Sequence, residues 1–288
     1  MTMAILIPDN TISMGGVLVH YYPLTAHNPN RISLPTAKMT NVIGVTIHNT
    51  DWIRTASNTT PAEQYTRATA NGNMKSVRVH YYVDHKCAWQ NLPLTLTSWH
   101  AADGNGNGNM HTISIECIMS KAYNDTDRQS EDNAARLAAE LLKTYGLSID
   151  NLYTHTHWLN VRDGKTGTVD QLNVMKHPYK MCPAYILPHW AAFKAKVAGY
   201  MVDGAQSTAK TDTQTVPTAA GSLRVKIICT ELNVRKGVGT GFPVVTVVRK
   251  GEVFTIVETC KAPDGGLWGR LKSGAGWINI SAKYVKRV

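Results

Sequence analysis

Between residues 154 and 183 the chain carries His155, His157, His177, Lys180 and Cys182. Histidine and cysteine are the nitrogen and sulfur ligands that suit zinc, and a catalytic zinc site takes three protein ligands and leaves a fourth position open. Cys182, one of His155 or His157, and an upstream histidine would complete such a set. His48, at the end of Val45-Thr46-Ile47-His48, is the upstream candidate. A metal held there acidifies water and polarises a carbonyl. Glu116 stands among Ile113, Ile115 and Ile118, where a lone carboxylate is costly unless it has a partner or a task. It is the candidate base for an attacking water. Lys180 is the candidate for stabilising the oxyanion that the attack creates.

Each residue alone also fits a structural role. A histidine at a strand end can be a hydrogen-bonded core group, and a buried cysteine packs as a small hydrophobe. The chain has no His-Glu-x-x-His and no Cys-x-x-Cys. His155 and His157, read as strand residues two apart, would face the same way.

The elements that must position these groups can be read from pattern. Asn41 to His48 is rich in β-branched residues and reads as a buried strand, with Val45 and Ile47 on one face and Thr46 and His48 on the other. Thr60-Pro61-Ala62-Glu63 opens a helix with an N-cap, an N1 proline and a capping-box glutamate, fading by Asn71-Gly72. Val77 to Asp84 is a strand, with Ala88 to Leu92 returning beside it. Gly104 to Asn109 is a plain turn, since Asn and Gly tolerate positive φ. Thr112 to Met119 is a strand that puts Ile113, Ile115 and Cys117 opposite Ser114, Glu116 and Ile118. Ala134, Leu137, Ala138, Leu141, Leu142 and Tyr145 repeat at helical steps before Gly146, a C-terminal cap. Asn151 to His155 brings the chain to the site as a strand. Pro188 to Val197 is a last amphipathic helix, with Trp190, Phe193 and Val197 for the core. Residues 11–40 read as irregular.

The composition, 43% hydrophobic and 17% charged, is that of a soluble globular protein. No apolar run is long enough to span a bilayer. Met3 to Ile7 before Pro8 is too short and uncharged for a secretory signal. Five cysteines, an odd number spread along the chain, do not form a disulfide framework, and reduced thiols in a cytoplasm are expected. The net charge of +10 is uneven: residues 223–288 hold twelve basic and four acidic side chains. Such a module favours a polyanion, nucleic acid or an anionic cell wall. Residues 202–222 lack periodicity and are rich in Thr, Ala, Ser and Gln, as a linker is. Beyond them Leu223 to Ile228, Val244 to Val248, Val253 to Thr259, Trp268 to Leu271 and Gly276 to Ile280 are short strands parted by glycines, which argues a small all-β barrel.

Residues 41–187 resemble the type 2 zinc N-acetylmuramoyl-L-alanine amidases, relatives of peptidoglycan recognition proteins that are common among phage endolysins. The resemblance is carried by Val45-Thr46-Ile47-His48-Asn49-Thr50, Val79-His80-Tyr81-Tyr82-Val83-Asp84, Trp99-His100-Ala101, Ile113-Ser114-Ile115-Glu116-Cys117, His155-Thr156-His157-Trp158 and Lys180-Met181-Cys182-Pro183. It implies an α/β fold, a central mixed β-sheet flanked by helices, with one zinc ion held by His48, His155 and Cys182. Glu116 and Lys180 would be catalytic. His155 is preferred to His157 by its place in the family pattern. Some branches carry a catalytic tyrosine where this chain has Val79, which favours Glu116 as base. Leu159 to Lys176 looks like an insertion, a candidate substrate-contacting loop, and makes His177 a rival ligand. Trp99 and His100 would line the substrate groove or form a structural pair.

Residues 223–288 resemble a bacterial SH3 domain through Leu232-Asn233-Val234-Arg235, Arg249-Lys250-Gly251-Glu252 and Trp268-Gly269-Arg270-Leu271 to Gly276-Trp277-Ile278. Trp268 and Trp277 would be either wall-binding aromatics or core. Together the resemblances imply a monomeric endolysin: a zinc amidase domain over 1–201, a linker over 202–222, and a wall-binding SH3-like barrel over 223–288. It would cut the amide between N-acetylmuramic acid and L-alanine. Its partners would be peptidoglycan and anionic wall polymers rather than nucleic acid or membrane. It would wait in the host cytoplasm and reach the wall once the membrane is breached. A zinc endopeptidase and a non-catalytic peptidoglycan binder are the alternatives.

Overall fold

Eight-residue runs of β-branched and apolar side chains, Gly44–Asp51 and Thr112–Met119, form the middle of a seven-stranded mixed sheet. In the computed structural model, which describes residues 5–53, 58–203, 223–235, 237–240, 242, 244–262 and 266–288, the chain divides into units Met1–Gly204 and Ala205–Val288. In chain order the first unit's strands are β1 (Asn10–Met14), β2 (Val17–Tyr21), β3 (Gly44–Asp51), β4 (Tyr81–Val83), β5 (Ala88–Gln90), β6 (Thr112–Met119) and β7 (Leu152–Thr154). They lie side by side as β1-β2-β5-β4-β6-β3-β7. β3 runs parallel to both β6 and β7, and β4 parallel to β6, while the β1–β2 and β4–β5 pairs are antiparallel.

The helices are α1 (Pro61–Ala70), α2 (Asn107–His111), α3 (Asp125–Tyr145), α4 (His155–Arg162), α5 (Val169–Val174) and α6 (Trp190–Asp203). Strand alternation divides the sheet's side chains between two faces. Val45, Ile47, Ile113, Ile115 and Cys117 share the main core with Leu137, Leu141, Trp190, Phe193 and Val197, from α3 and α6. On the other face Tyr82, Trp89 and Ile118 pack with Ala62 and Tyr65 of α1. That second face also carries Thr46, His48, Ser114 and Glu116.

Most expected elements are present, with instructive differences. Residues 11–40 are not wholly irregular, because β1 and β2 form a hairpin across Gly15-Gly16. The strand expected over Val77 to Asp84 is held to Tyr81–Val83, with Arg78 bridging Trp99. Thr60 caps α1 by accepting from the Glu63 N–H, but the Glu63 carboxylate turns away to the Leu6 N–H and Arg67. The capping box is therefore half formed. The last half of the expected Gly104 to Asn109 turn is the start of α2, in which the Gly108 and Asn109 amides donate to the Asp103 carboxylate. Gly146 ends α3 in the left-handed region, φ 68°, as its place after the last periodic residue requires.

The second unit is a separate all-β structure: β8 (Leu223–Ile227), β9 (Glu231–Arg235), β10 (Val244–Arg249), β11 (Val253–Lys261), β12 (Leu267–Leu271), β13 (Trp277–Asn279) and β14 (Val285–Arg287). These form an antiparallel sheet ordered β10-β9-β13-β12-β11-β8-β14, around Val225, Ile227, Val234, Ile256, Leu271 and Ile278. β9 and β14 join the five runs expected from sequence. The linker expected at 202–222 lies, from residue 204 onward, outside the described residues.

Candidate metal centre

His48 comes from the middle of β3, His155 from the first turn of α4, and Cys182 from the loop before α6. All three are buried, and one donor atom from each lies within 4.8 Å of the others. The Cys182 Sγ is 3.7 Å from the His48 Nδ1, and the His48 and His155 rings are 4.7 Å apart. Ligands about 2.0–2.3 Å from a tetrahedral ion stand roughly 3.3–3.8 Å from one another. The Cys182–His48 separation falls in that range, and the widest separation in the cluster exceeds it by no more than about 1.5 Å. Neither nitrogen of buried His155 makes a well-formed hydrogen bond, although the Ala101 carbonyl lies near enough to favour a proton on the ring. An imidazole left bare in a protein interior is costly unless something else takes its lone pair.

The backbone around the cluster is fixed by side chains. The Thr154 hydroxyl caps α4 by accepting from the His157 N–H at 3.0 Å. Thr156 grips the cysteine from both sides: its N–H and hydroxyl donate to the Cys182 carbonyl, and its oxygen accepts from the Cys182 N–H at 2.9 Å. Asn49, next to His48, accepts from the N–H groups of Tyr185 and Ile186 and donates to the Cys117 carbonyl. The donor-bearing segments are thus tied directly to one another.

Register brings Glu116 to the same place. Parallel pairing of β3 and β6 sets His48 opposite Glu116, and the Glu116 Oε1 stands 3.8 Å from the His48 Nδ1. Its other oxygen is buried and without a hydrogen-bond partner. Burial pushes this carboxyl up to about 7, and the ammonium of Lys180 pulls it partly back. Lys180 is itself exposed. Its charge also reaches His48, His100, His155 and Cys182. Burial, reinforced by neighbouring imidazoles and by Lys180, holds His48 and His155 well below the usual histidine range, so both are neutral and able to donate a lone pair. Burial pushes the Cys182 thiol up to about 12. A thiolate there needs a cation beside it.

Three sequence expectations change. The strand expected over Asn151 to His155 ends at Thr154, so His155 and His157 sit on a helix. At about 100° per residue they point to nearly opposite sides. His157 packs between Tyr153 and Trp158, away from the cluster. His177 is no rival ligand, because its Nε2 is 2.6 Å from an Asp163 carboxylate oxygen and its ring lies edge-on to Tyr179. Trp99 and His100 part company: Trp99 is 37% exposed, whereas His100 is buried with both ring nitrogens engaged, by His48 and by the Gly108 carbonyl. Of the two, only Trp99 presents its ring to solvent. The insertion Leu159 to Lys176 holds the rest of α4 and all of α5. Its Asn173 accepts from the Thr154 N–H, bracing the start of α4. In the second unit Trp268 is buried beside Val238 and Ala262, and Trp277 is partly buried against them. Thr156, Asn49 and the His48–His100 pairing were not anticipated from sequence. Only the Thr154-x-x-His157 spacing, a helix N-cap pattern, could have signalled α4.

Two imidazoles and a thiol, faced by one carboxylate and one ammonium, are the groups a hydrolytic metal centre needs. A family model described as N-acetylmuramoyl-L-alanine amidase matches residues 38–183, about half of the chain, and the chain belongs to that family. It is 32% identical over 120 residues to N-acetylmuramoyl-L-alanine amidase XlyA of Bacillus subtilis strain 168, covering 42% of this chain and 33% of that protein. It is 30% identical over 150 residues to N-acetylmuramoyl-L-alanine amidase CwlH of the same organism, covering 52% of this chain and 50% of that protein. The similarity thus spans half or less of these relatives. A solved structure of PlyL aligns with a TM-score of 0.47 at 27% identity, over 62% of this chain and 96% of that one.

Proposed function

We propose that the first unit is a zinc-dependent N-acetylmuramoyl-L-alanine amidase that hydrolyses the amide between the lactyl group of N-acetylmuramic acid and L-alanine in peptidoglycan. The observation that carries this reading is the convergence of His48, His155 and Cys182 from three separate segments, with Glu116 on the adjoining strand position. Bound there, zinc supplies a Lewis acid that polarises the scissile carbonyl and makes water acidic enough to attack at neutral pH. Glu116 takes the proton from the attacking water and returns it to the departing L-alanine amine as the C–N bond breaks. Burial raises this carboxyl and a bound cation would draw it back down, a balance that suits a group which both takes and returns a proton. Lys180, whose charge is felt throughout the cluster, offsets the negative charge that develops on the carbonyl oxygen.

The second unit we assign as an SH3-like wall-binding module of an endolysin, on its all-β sheet and its excess of basic side chains. Trp277, partly exposed, is the aromatic available to touch the wall, while Trp268 serves the core. Cys87, Cys117, Cys182 and Cys229 are free thiols, which fits accumulation in a reducing host cytoplasm before access to the wall. Among the described residues no helix is long and apolar enough to cross a membrane.

Digestion of purified peptidoglycan tests the reading. New amines should appear on L-alanine, and chelation should stop their release until zinc is restored. Amines freed only within the stem peptides would make the protein an endopeptidase. Wall binding without any new amine would make it a binder.

A further inference from the structure

We infer that His100 is a positioning residue that orients His48 and sets its tautomer, so that the Nδ1 lone pair of His48 faces the metal cluster. The inference rests on the metal-site reading given above. It starts from a group whose hydrogen-bonding role is not in doubt. The Gly108 carbonyl can only accept, and it stands 2.9 Å from the His100 Nε2. His100 therefore carries its proton on Nε2, and its Nδ1 is left as an acceptor. That Nδ1 is 2.7 Å from the His48 Nε2, so His48 must donate through Nε2. The remaining nitrogen of His48, Nδ1, is bare. It is the atom 3.7 Å from the Cys182 Sγ and 3.8 Å from the Glu116 Oε1.

The anchor of this relay is built with care. The Gly108 carbonyl also accepts from the Thr112 hydroxyl, and the Gly108 and Asn109 N–H groups are held by Asp103. The Asn109 side-chain oxygen accepts from the N–H groups of both His100 and Ala101, fixing the backbone that carries the ring. A Cβ at residue 108 would lie 2.5 Å from the Ala101 Cβ and 2.7 Å from the Trp158 ring. Only glycine lets this carbonyl approach. The Gly104 to Asn109 stretch, a plain turn by sequence, is the base on which a ligand's orientation rests. A neutral histidine here fills the place that a carboxylate or carbonyl holds behind most metal-ligating histidines, and such partners are worth about 10- to 100-fold in metal affinity.

Two variants separate orientation from bulk. His100→Leu removes the acceptor. His100→Asn puts an amide oxygen near the place of Nδ1. Zinc affinity is measured by competition with a chromogenic chelator, and the His48 tautomer by nitrogen-15 NMR of the metal-free native protein. His100→Leu should weaken zinc binding about 10- to 100-fold, with His100→Asn recovering most of the loss. His48 should carry its proton on Nε2 in the native protein. Zinc affinity within threefold of native in His100→Leu, equal losses in both variants, or a proton on Nδ1 of His48 would each overturn the inference. Should His100→Leu not fold, the native tautomer decides alone. Cys182→Ser is the control. If it also keeps zinc, the ligand assignment has failed; if it loses zinc while His100→Leu does not, only the role of His100 has.

Discussion

Replacing Glu116 with glutamine keeps the shape of the side chain and removes its charge and its basicity. Burial lifts the Glu116 carboxyl from an ordinary 4.5 to about 7. At about 1.4 kcal/mol per unit, that shift is on the order of 3 kcal/mol of folding free energy lost by keeping the carboxylate ionised. Because 13% of the side chain still faces water, the figure is an upper one. The sign follows from linkage. A folded-state value raised above the unfolded one means the native protein binds the proton more tightly. The penalty is therefore absent below pH 4.5, grows as the pH rises to about 7, and is constant above that. Metal-free Glu116→Gln should thus melt several degrees above metal-free native protein at pH 8, at roughly 2–4 °C per kcal/mol for a unit of this size. The gap should close toward pH 5. In the zinc-loaded protein the gain should shrink, because the ion's charge favours the carboxylate. Turnover per folded molecule should fall about 100- to 10,000-fold. Calorimetry of the metal-free pair at pH 5 and 8, with amine release measured on the zinc-loaded pair, decides the matter. A variant that is less stable at pH 8 yet turns over normally would make Glu116 a structural residue, and the proton acceptor would have to be sought elsewhere.

Cys182→Ser should lower zinc affinity by more than the roughly 10- to 100-fold that an outer partner is worth, and lysis of walls should fall with it. Because Thr156 grips only the backbone of residue 182, the loop should keep its place, and native-like circular dichroism with stoichiometric zinc would remove the cysteine from the site. The metal-free protein should also be acid-labile. His48, His80, His100, His155 and His157 are all held below the ordinary 6.5 by burial, His80 and His157 to about 4 and His100 to about 3. Stability is fully present above 6.5 and lost as the pH falls toward those values. Five such groups outweigh the opposite trend of Glu116, so the melting temperature should drop between pH 7 and 5; a flat profile would mean that these rings are not buried neutral.

What the sequence made legible was periodicity. The β-branched run of β3, the alternation in β6 and the helical repeat of α3 each name a face, and that face is the one buried. Elements whose signal was local and short were harder. The N-terminal hairpin turns on Gly15-Gly16, a two-residue connection between alternating runs, but the prolines that follow it drew the whole stretch toward irregular. α4 was hidden for a physical reason. Thr154-His155-Thr156-His157-Trp158 is weighted by Thr and Trp, which favour strands, and the helix starts there because Thr154 caps it and Asn173 accepts from the N–H of that cap residue. Tertiary support overrode propensity.

The site divides along the same line. Which residue types would meet was readable, because a histidine, a histidine and a cysteine with a nearby lysine and a strand carboxylate are chemically expensive to bury without a reason. How they would meet was not. That His48 lies opposite Glu116 depends on the register of two parallel strands far apart in the chain, and no residue pattern in either strand fixes it. The choice between His155 and His157 depends on a helix beginning at the first of them. Two of the three candidate donors are then held by neighbours whose own sequence context looks ordinary: Thr156 behind Cys182, Asn49 beside His48, and His100 behind the His48 ring. Ligands are conspicuous because of their chemistry. The groups that aim them are threonines, asparagines and a glycine carbonyl, whose significance lies wholly in where the fold puts their lone pairs and protons.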